Sequence, residues 1–508
     1  MIRISKKLHY AKELDSVKGD SKLTWKIIND VINKKKDHIK AETINVNGIE
    51  ITSPKEISNE FNSYFVNIGP KLGSQINCNE KHFSEYLPNP SNSAIFLSPT
   101  NEAEIIKIVK SFASKPSAGY DGISTKLLKE IIFYIAPPLE YIFNLSLTTG
   151  TFPDLLKIAK VIPVYKKDDP TQILNYRPIS LLPSISKALE KITYKRLFSY
   201  LSVNNILNSS QFGFRKNFST EYATLHLLDK IIESISKKEY VIGIFMDLSK
   251  AFDTIDHNIL LYKLNNYGIR GIALSWFKSY LSDRKQYVSI NNENSSMLNI
   301  KCGVPQGSIL GPLLFLIYVN DIINSSSVLS FFMFADDTSV LSSHKDISEL
   351  TNIINSELIN ISLWFKCNKL SLNISKTNFM QFQTVQHSST EHQYSITIDN
   401  KPLEQKDSTK FLGITIDKNL NWNHHIRNVC SQISRGIGIL HRVKFLLPKH
   451  TLLSLYNTLI LPYLNYGNIV WGNCCKTKLD SILLLQKKAI GFVHIHLSWS
   501  TPIRYLTN

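Results

Sequence analysis

Two short runs of apolar residues, each ending in carboxylates, constrain this chain more than any other feature. Residues 241–246 read VIGIFM and stop at Asp247. Residues 328–334 are nearly continuous in apolar side chains and stop at Asp336 and Asp337, after which Val340 and Leu341 resume the pattern. The first run has the length and composition of a strand buried on both faces. The second predicts a β-hairpin whose tip carries two carboxylates. Burying an unpaired carboxylate is costly, so acids at such positions need a cation or a solvent-exposed edge. As a competing reading, each Asp is a turn former or a solubilising residue. That suffices for any single one but not for a pair set on a buried hairpin.

The rest of the chain organises around these runs. No repeat is visible at a period of ~20–50 residues, which argues against a solenoid or propeller. Residues 1–99 read as a separate, loosely built lead-in. Trp25, Ile28, Val31 and Ile32 share one helix face that leads into the solvated run Lys34, Lys35, Lys36. Phe61, Tyr64, Phe65 and Ile68 mark a second helix, and the Asn-, Ser- and Pro-rich residues 69–99 read as a linker. A helical pattern resumes at Ile105, Ile106, Val109 and Phe112. From about residue 157 short apolar strands alternate with helices, including one over Ile272 to Tyr280 and one carrying Ile347, Leu350, Ile354, Leu358 and Ile361. Strands near 378–382, 394–398 and 410–416 follow, with a polar loop at 383–393, and from Asn423 onward the pattern is mostly helical. The predicted class is α+β, a mostly antiparallel sheet with helices packed on one face.

Composition narrows the function. The 508 residues suggest about three structural units. Apolar residues make up 43 %, and Lys plus Arg exceed Asp plus Glu by 58 − 41 = 17. That excess favours an anionic partner, nucleic acid ahead of membrane or acidic protein. Because the basic residues are dispersed, they fit a groove gripping a phosphate backbone. Six cysteines without a C-x-x-C pair, with Cys474 and Cys475 adjacent, point to a reduced compartment without structural zinc. Met1 to Leu14 lacks a secretory h-region, and apolar stretches such as 313–319 fall short of the ~18 residues that span a bilayer. His424 and His425 are neighbours and make a poor metal pair, and Trp364, Trp422 and Trp471 read as core. Oxygen-only ligands such as the three Asp suit Mg²⁺. Two such ions ~3.5–4 Å apart can activate an attacking hydroxyl and stabilise a leaving oxygen in phosphoryl transfer.

The wording around these residues resembles the reverse transcriptases. Phe334-Ala335-Asp336-Asp337 resembles their active-site box, and the stretch from Phe245 through Asp247 to Lys250, Phe252 and Asp253 resembles the box with the first catalytic carboxylate. Gly303-Val304-Pro305-Gln306-Gly307-Ser308 with Leu310-Gly311-Pro312 resembles the box between them. Asn175-Tyr176-Arg177-Pro178 and Gln211-Phe212-Gly213-Phe214-Arg215 resemble the fingers boxes, and Leu372-Asn373, Lys376-Thr377 and Phe411-Leu412-Gly413 the last palm boxes. All occur in family order over about residues 117 to 416, and the lead-in from Ser117 to Gly122 points to jockey-like non-LTR retrotransposons.

The resemblance implies roles residue by residue. Asp247 and Asp336 hold the two Mg²⁺ ions (Mn²⁺ being a substitute), with Asp337 a nearby ligand. Phe252 is a gate against the 2′-hydroxyl, with core packing as the alternative. Gln306 lies along nucleotide and template, and Gly307 permits close backbone approach; an ordinary turn is the alternative. Lys166, Lys167 and Arg177 contact the triphosphate, unless they are solvated surface charges. Lys376 lies near the phosphates, with a conceivable general-acid role toward pyrophosphate. Gly213 and Arg215 shape the fingers near the template or are plain packing. Asp253 and Asp256 are structural or solvated.

The implied fold is the right-hand polymerase. Residues 1–99 are the lead-in and linker, 100–240 the fingers, 241–416 the palm and 417–508 a helical thumb, with the polymerase domain overall at about 145–416. The implied activity is RNA-directed DNA synthesis on an RNA template from a DNA primer or nicked target DNA, using deoxynucleoside triphosphates. The alternative is a decayed or domesticated copy that binds RNA and DNA without polymerising. A group II intron-type or telomerase-like enzyme is a third reading, and the absence of a matching RNA-binding extension counts against it. The family's upstream endonuclease is not expected here, nor is a ribonuclease H domain, and the chain is expected to be truncated within the helical tail. Family biology implies a nuclear step and a cytoplasmic ribonucleoprotein stage.

Overall fold

The computed structural model describes residues 2–17, 19–32, 43–76, 80–384 and 394–493. The run Lys34, Lys35, Lys36 and all but the first two residues of the expected loop 383–393 lie outside the described residues.

The apolar run forms the central strand Tyr240–Met246 of a five-stranded sheet. Asp337–His344 and Asn378–Phe382 flank it, both antiparallel, and Ser330–Phe334 lies outside the first of them. Glu404–Gln405 adds a short parallel partner at the other edge. Side chains alternate across the sheet. Ile242, Ile244 and Met246 enter one core with the helices Ser184–Val203, His257–Asn266, Ile272–Leu281, Gly311–Val319 and Ile347–Cys367. Val241 and Phe245 enter a second core with the helix Thr220–Ser236 and the C-terminal helices from Asn423 onward. Helices therefore cover both faces, not the one face expected. A strand without polar residues has no face to offer water, so both sides must be covered.

A second sheet joins Tyr176–Leu181, Ile158–Tyr165, Lys285–Ile290 and Glu293–Asn294. The helix Pro54–Ser74 lies on it, burying Ile57, Phe61 and Phe65 against Ala159, Val161, Tyr176 and Val288. Asn62 seals the contact, donating to Ser296 O at 2.7 Å and accepting from Gln286 Nε2 at 3.0 Å. This part of the lead-in is thus packed rather than loose. Its apolar stripe reads as any amphipathic helix in sequence, and only the fold supplies the sheet beneath it. Tyr86 and Leu97, in the expected linker, belong to the main core.

The 25-residue helix Thr125–Thr149 is long and apolar enough, by length and composition, to cross a membrane. Leu128, Ile132, Leu139, Phe143 and Leu147 pack it into the main core. The cysteines depart from expectation at one place: Cys367 is disulfide-bonded, whereas Cys302, Cys430, Cys474 and Cys475 are free. Trp364, Trp422 and Trp471 are buried, as expected of core residues.

Candidate active site at the strand ends

Antiparallel register brings the carboxylates together. Thr338 pairs with Met246, so the next step along each strand sets Asp337 across from Asp247. Asp336 immediately precedes Asp337, in the two-residue turn that joins Phe334 to Asp337. On the other side Asn378 pairs with Phe245, and two further steps bring Lys376 opposite Asp247. Its Nζ lies 3.6 Å from Asp247 Oδ2. The backbone of Asp247 is tied to the same segment, its carbonyl accepting from Asn373 N–H at 2.8 Å.

The group is electrostatically uncomfortable. Partial desolvation, then repulsion by Asp336 and Asp247, pushes the Asp337 carboxyl up to about 6. Desolvation and Asp247 also raise Asp336, against the pull of Arg177 and Lys166. Like-charged carboxylates held this close keep their charge only with a cation among them. Among the described residues, no three His, Cys, Asp or Glu side chains close into a metal cage of their own. An open, all-oxygen donor set fits a hard ion that takes one or two protein carboxylates and completes its shell with water and substrate phosphate. The residues present fit Mg²⁺ on that ground.

Cationic side chains face the acids from other elements. Val164 pairs with Arg177 in the hairpin of the second sheet, and strand alternation puts Lys166 on the same face as Val164. Burial and the nearby Arg177 and Lys376 charges lower the Lys166 ammonium. Lys167, one residue on, pairs with Asp168 at 3.7 Å, both exposed. Sequence reasoning did not single out Lys250 for a role. It is half-buried after Asp247, with its Nζ 5.7 Å from the Tyr64 ring of the helix Pro54–Ser74. Burial lowers it, and Lys166, Arg177 and Lys376 add to that effect against Asp253. A half-buried lysine that forms no ion pair among the described residues is the signal, and it exists only in the folded chain.

The Pro305–Gly307 turn is held from both sides. Gln306 Nε2 donates to both oxygens of Asp253, at 2.9 and 3.0 Å, and Gln306 O accepts from Ser180 N–H at 2.8 Å. Gly307 has φ +130°, and a Cβ there would stand 2.5 Å from Ser180 O. Asp253, read as structural or solvated, is therefore the anchor of Gln306, and burial pushes its carboxyl up to about 6. Asp256 caps the helix His257–Asn266 and pairs with Lys369 at 2.7 Å. Phe252 is half-buried and stacks on Phe315, ring centroids 4.7 Å apart, with Phe214 edge-on at 6.4 Å. Arg215 donates to the carbonyls of Asn208 and Gln211 and lies 4.6 Å over Phe218, which is packing.

Acids at the ends of a sheet with cations facing them can hold a divalent cation and a phosphate group, and the comparisons with known proteins give the class of the domain that carries them. Residues 164–416 match the family model of reverse transcriptases (RNA-dependent DNA polymerases), and this part of the chain is a reverse transcriptase domain. The chain is 29 % identical over 425 residues to the "RNA-directed DNA polymerase from mobile element jockey" of Drosophila melanogaster, covering 81 % of this chain and 45 % of that protein. It is 29 % identical over 421 residues to the "Probable RNA-directed DNA polymerase from transposon BS" of the same fly, covering 80 % and 46 %. Against the Pol polyprotein of the type-1 element R1 of Bradysia coprophila it is 27 % identical over 391 residues, covering 75 % and 38 %. It thus spans less than half the length of each of these relatives.

Proposed function

We propose that this chain is an RNA-directed DNA polymerase of a non-LTR retrotransposon, built as a right hand. In this reading residues 100–240 are the fingers, 241–416 the palm and 417–508 the thumb. A primer 3′-hydroxyl attacks the α-phosphate of a deoxynucleoside triphosphate paired to an RNA template, and pyrophosphate leaves. Bound Mg²⁺ supplies Lewis acidity toward the attacking and leaving oxygens. Asp247 and Asp336 would hold it, with Asp337 beside them. Lys166, Arg177 and Lys250 bind the phosphate oxygens. Lys376 lies on the opposite side of Asp247 and is the group able to hand a proton to the departing pyrophosphate. Phe252, backed by Phe315, closes the floor where a 2′-hydroxyl would sit. Gln306, its amide held by Asp253, lines the nucleotide side of the turn.

The observation that carries this reading is the gathering near Asp247, from separate elements, of two further carboxylates and of Lys166 and Arg177, which form no ion pair among the described residues. Such a field has a use only when a polyanion and its cations arrive together. Primer extension on an RNA template with Mg²⁺, with Asp336→Asn as twin, tests it. Extension by the parent alone is the expected result. Salt-sensitive binding of primer–template by both, with extension by neither, would assign the chain to the non-polymerising alternative.

A further inference from the structure

Beside the carboxylates lies a buried glutamine to which no role above is assigned. Gln211 is 2 % exposed and comes from a part of the chain distant from the hairpin. Its Oε1 accepts from the backbone N–H of Ala335 at 3.0 Å and of Gly213 at 2.8 Å, and its Nε2 donates to the Ala335 carbonyl at 3.4 Å. One side-chain amide thus satisfies both backbone groups of one residue, as a neighbouring strand would. The adjoining backbone continues the pairing: Phe212 N–H donates to Met333 O at 2.8 Å, and Met333 N–H to Ser210 O at 2.9 Å.

Ala335 needs that support. It is the first of the two turn residues before Asp337, with φ +58°. That left-handed conformation suits glycine and costs a residue with a Cβ. Ala335 is also buried, so its N–H and C=O cannot turn to water without a penalty. From the other side Gly213 walls the turn in, since a Cβ there would lie 2.3 Å from Ala335 N.

We propose that Gln211 is a positioning residue: it staples the Ala335–Asp336 turn and so holds the Asp336 carboxylate toward Asp247. The role of Asp336 rests on the polymerase reading; the staple itself does not. The competing role is that of a buried glutamine that merely stabilises the fold.

The test uses the full chain with Gln211→Ala, Gln211→Glu and Gly213→Ala, read by amide hydrogen exchange at 334–337, by Mn²⁺ binding followed by electron paramagnetic resonance, and by single-turnover extension. Gln211→Ala should speed exchange of the Ala335 amide at least about tenfold. It should weaken Mn²⁺ binding about tenfold, one lost hydrogen bond to a strained turn. The extension rate should fall on the order of 10²-fold, with the KM for nucleotide and the primer–template affinity nearly unchanged. Gln211→Glu should recover activity as pH falls, because its protonated carboxyl can again donate to Ala335 O. Gly213→Ala, which keeps Gln211 but presses on the same amide, should reproduce the rate loss. A folded Gln211→Ala with parental Ala335 exchange and parental Mn²⁺ binding overturns the proposal. So does a fall of rate and template affinity in step with lost thermal stability. If the parent itself does not extend primers, the polymerase reading fails, and exchange and Mn²⁺ binding still decide the staple.

Discussion

Two groups of charged residues in this molecule show opposite treatments of a carboxylate. Lys263 and Asp321 meet at 2.5 Å with both side chains fully buried, and Lys263 also donates to Tyr318 O at 2.6 Å. Each charge there has its partner within the chain. At the strand ends, Asp336 and Asp337 form no ion pair among the described residues; Asp247 repels both, Asp336 also repels Asp337, and only Asp336 feels the pull of Arg177 and Lys166. A closed pair marks structure. A set of acids left to repel one another, with cations standing off around them, marks a place kept for a ligand.

Breaking each side of that comparison gives different losses. Asp336→Asn should lower extension on the order of 10³-fold or more, since a metal's charge stabilisation is worth several kcal/mol. Its melting temperature should stay level or rise, because a repelling charge is gone. An extension rate equal to the parent's would sink the assignment of this site. Asp321→Asn should do the reverse. It strands a buried Lys263 and should cost ~3–5 kcal/mol in denaturant unfolding, with the activity of the folded fraction retained.

Asp253 lies between the two cases, buried but hydrogen-bonded to Gln306. Its carboxyl is raised from 3.8 to about 6, so the folded state holds the proton over that interval and the unfolded state does not. Stability from this group is therefore largest at pH 4 and declines as pH rises to 6. Asp253→Asn should flatten that decline in a melting-temperature profile, and an unchanged slope would assign it to other groups. Phe252→Ala should cut discrimination against ribonucleotides about tenfold or more, a loss typical of a reshaped apolar pocket. Unchanged discrimination would leave the ring as partner of Phe315 alone. The smallest effect is expected at Lys167→Ala, within about twofold because exposed ion pairs contribute little. Arg177→Ala should raise the nucleotide KM about tenfold, the worth of a charge-assisted bond.

The strands and their acids were legible because a buried strand must be apolar along its whole length, and a carboxylate at its end interrupts that pattern. The box wording then assigned Asp247, Asp336 and Gln306 places in one order. The same reading misjudged the helix Pro54–Ser74, since an amphipathic stripe announces burial without naming what buries it. It named Lys166 and Lys167 alike, and only the folded chain shows Lys166 near Arg177 and Lys376 and Lys167 exposed beside Asp168.

What the sequence determined by itself is therefore local and periodic: which segments are apolar, where they stop, and which residue types stand at the stops. The tertiary structure alone decided what those ends face. Register sets Asp337 across from Asp247, a helix from the lead-in brings Tyr64 to Lys250, and a glutamine 124 residues away satisfies the turn before Asp336. The physical reason is that charge, desolvation and hydrogen bonding act over a few ångströms of space. Only folding makes residues far apart in the chain neighbours on that scale.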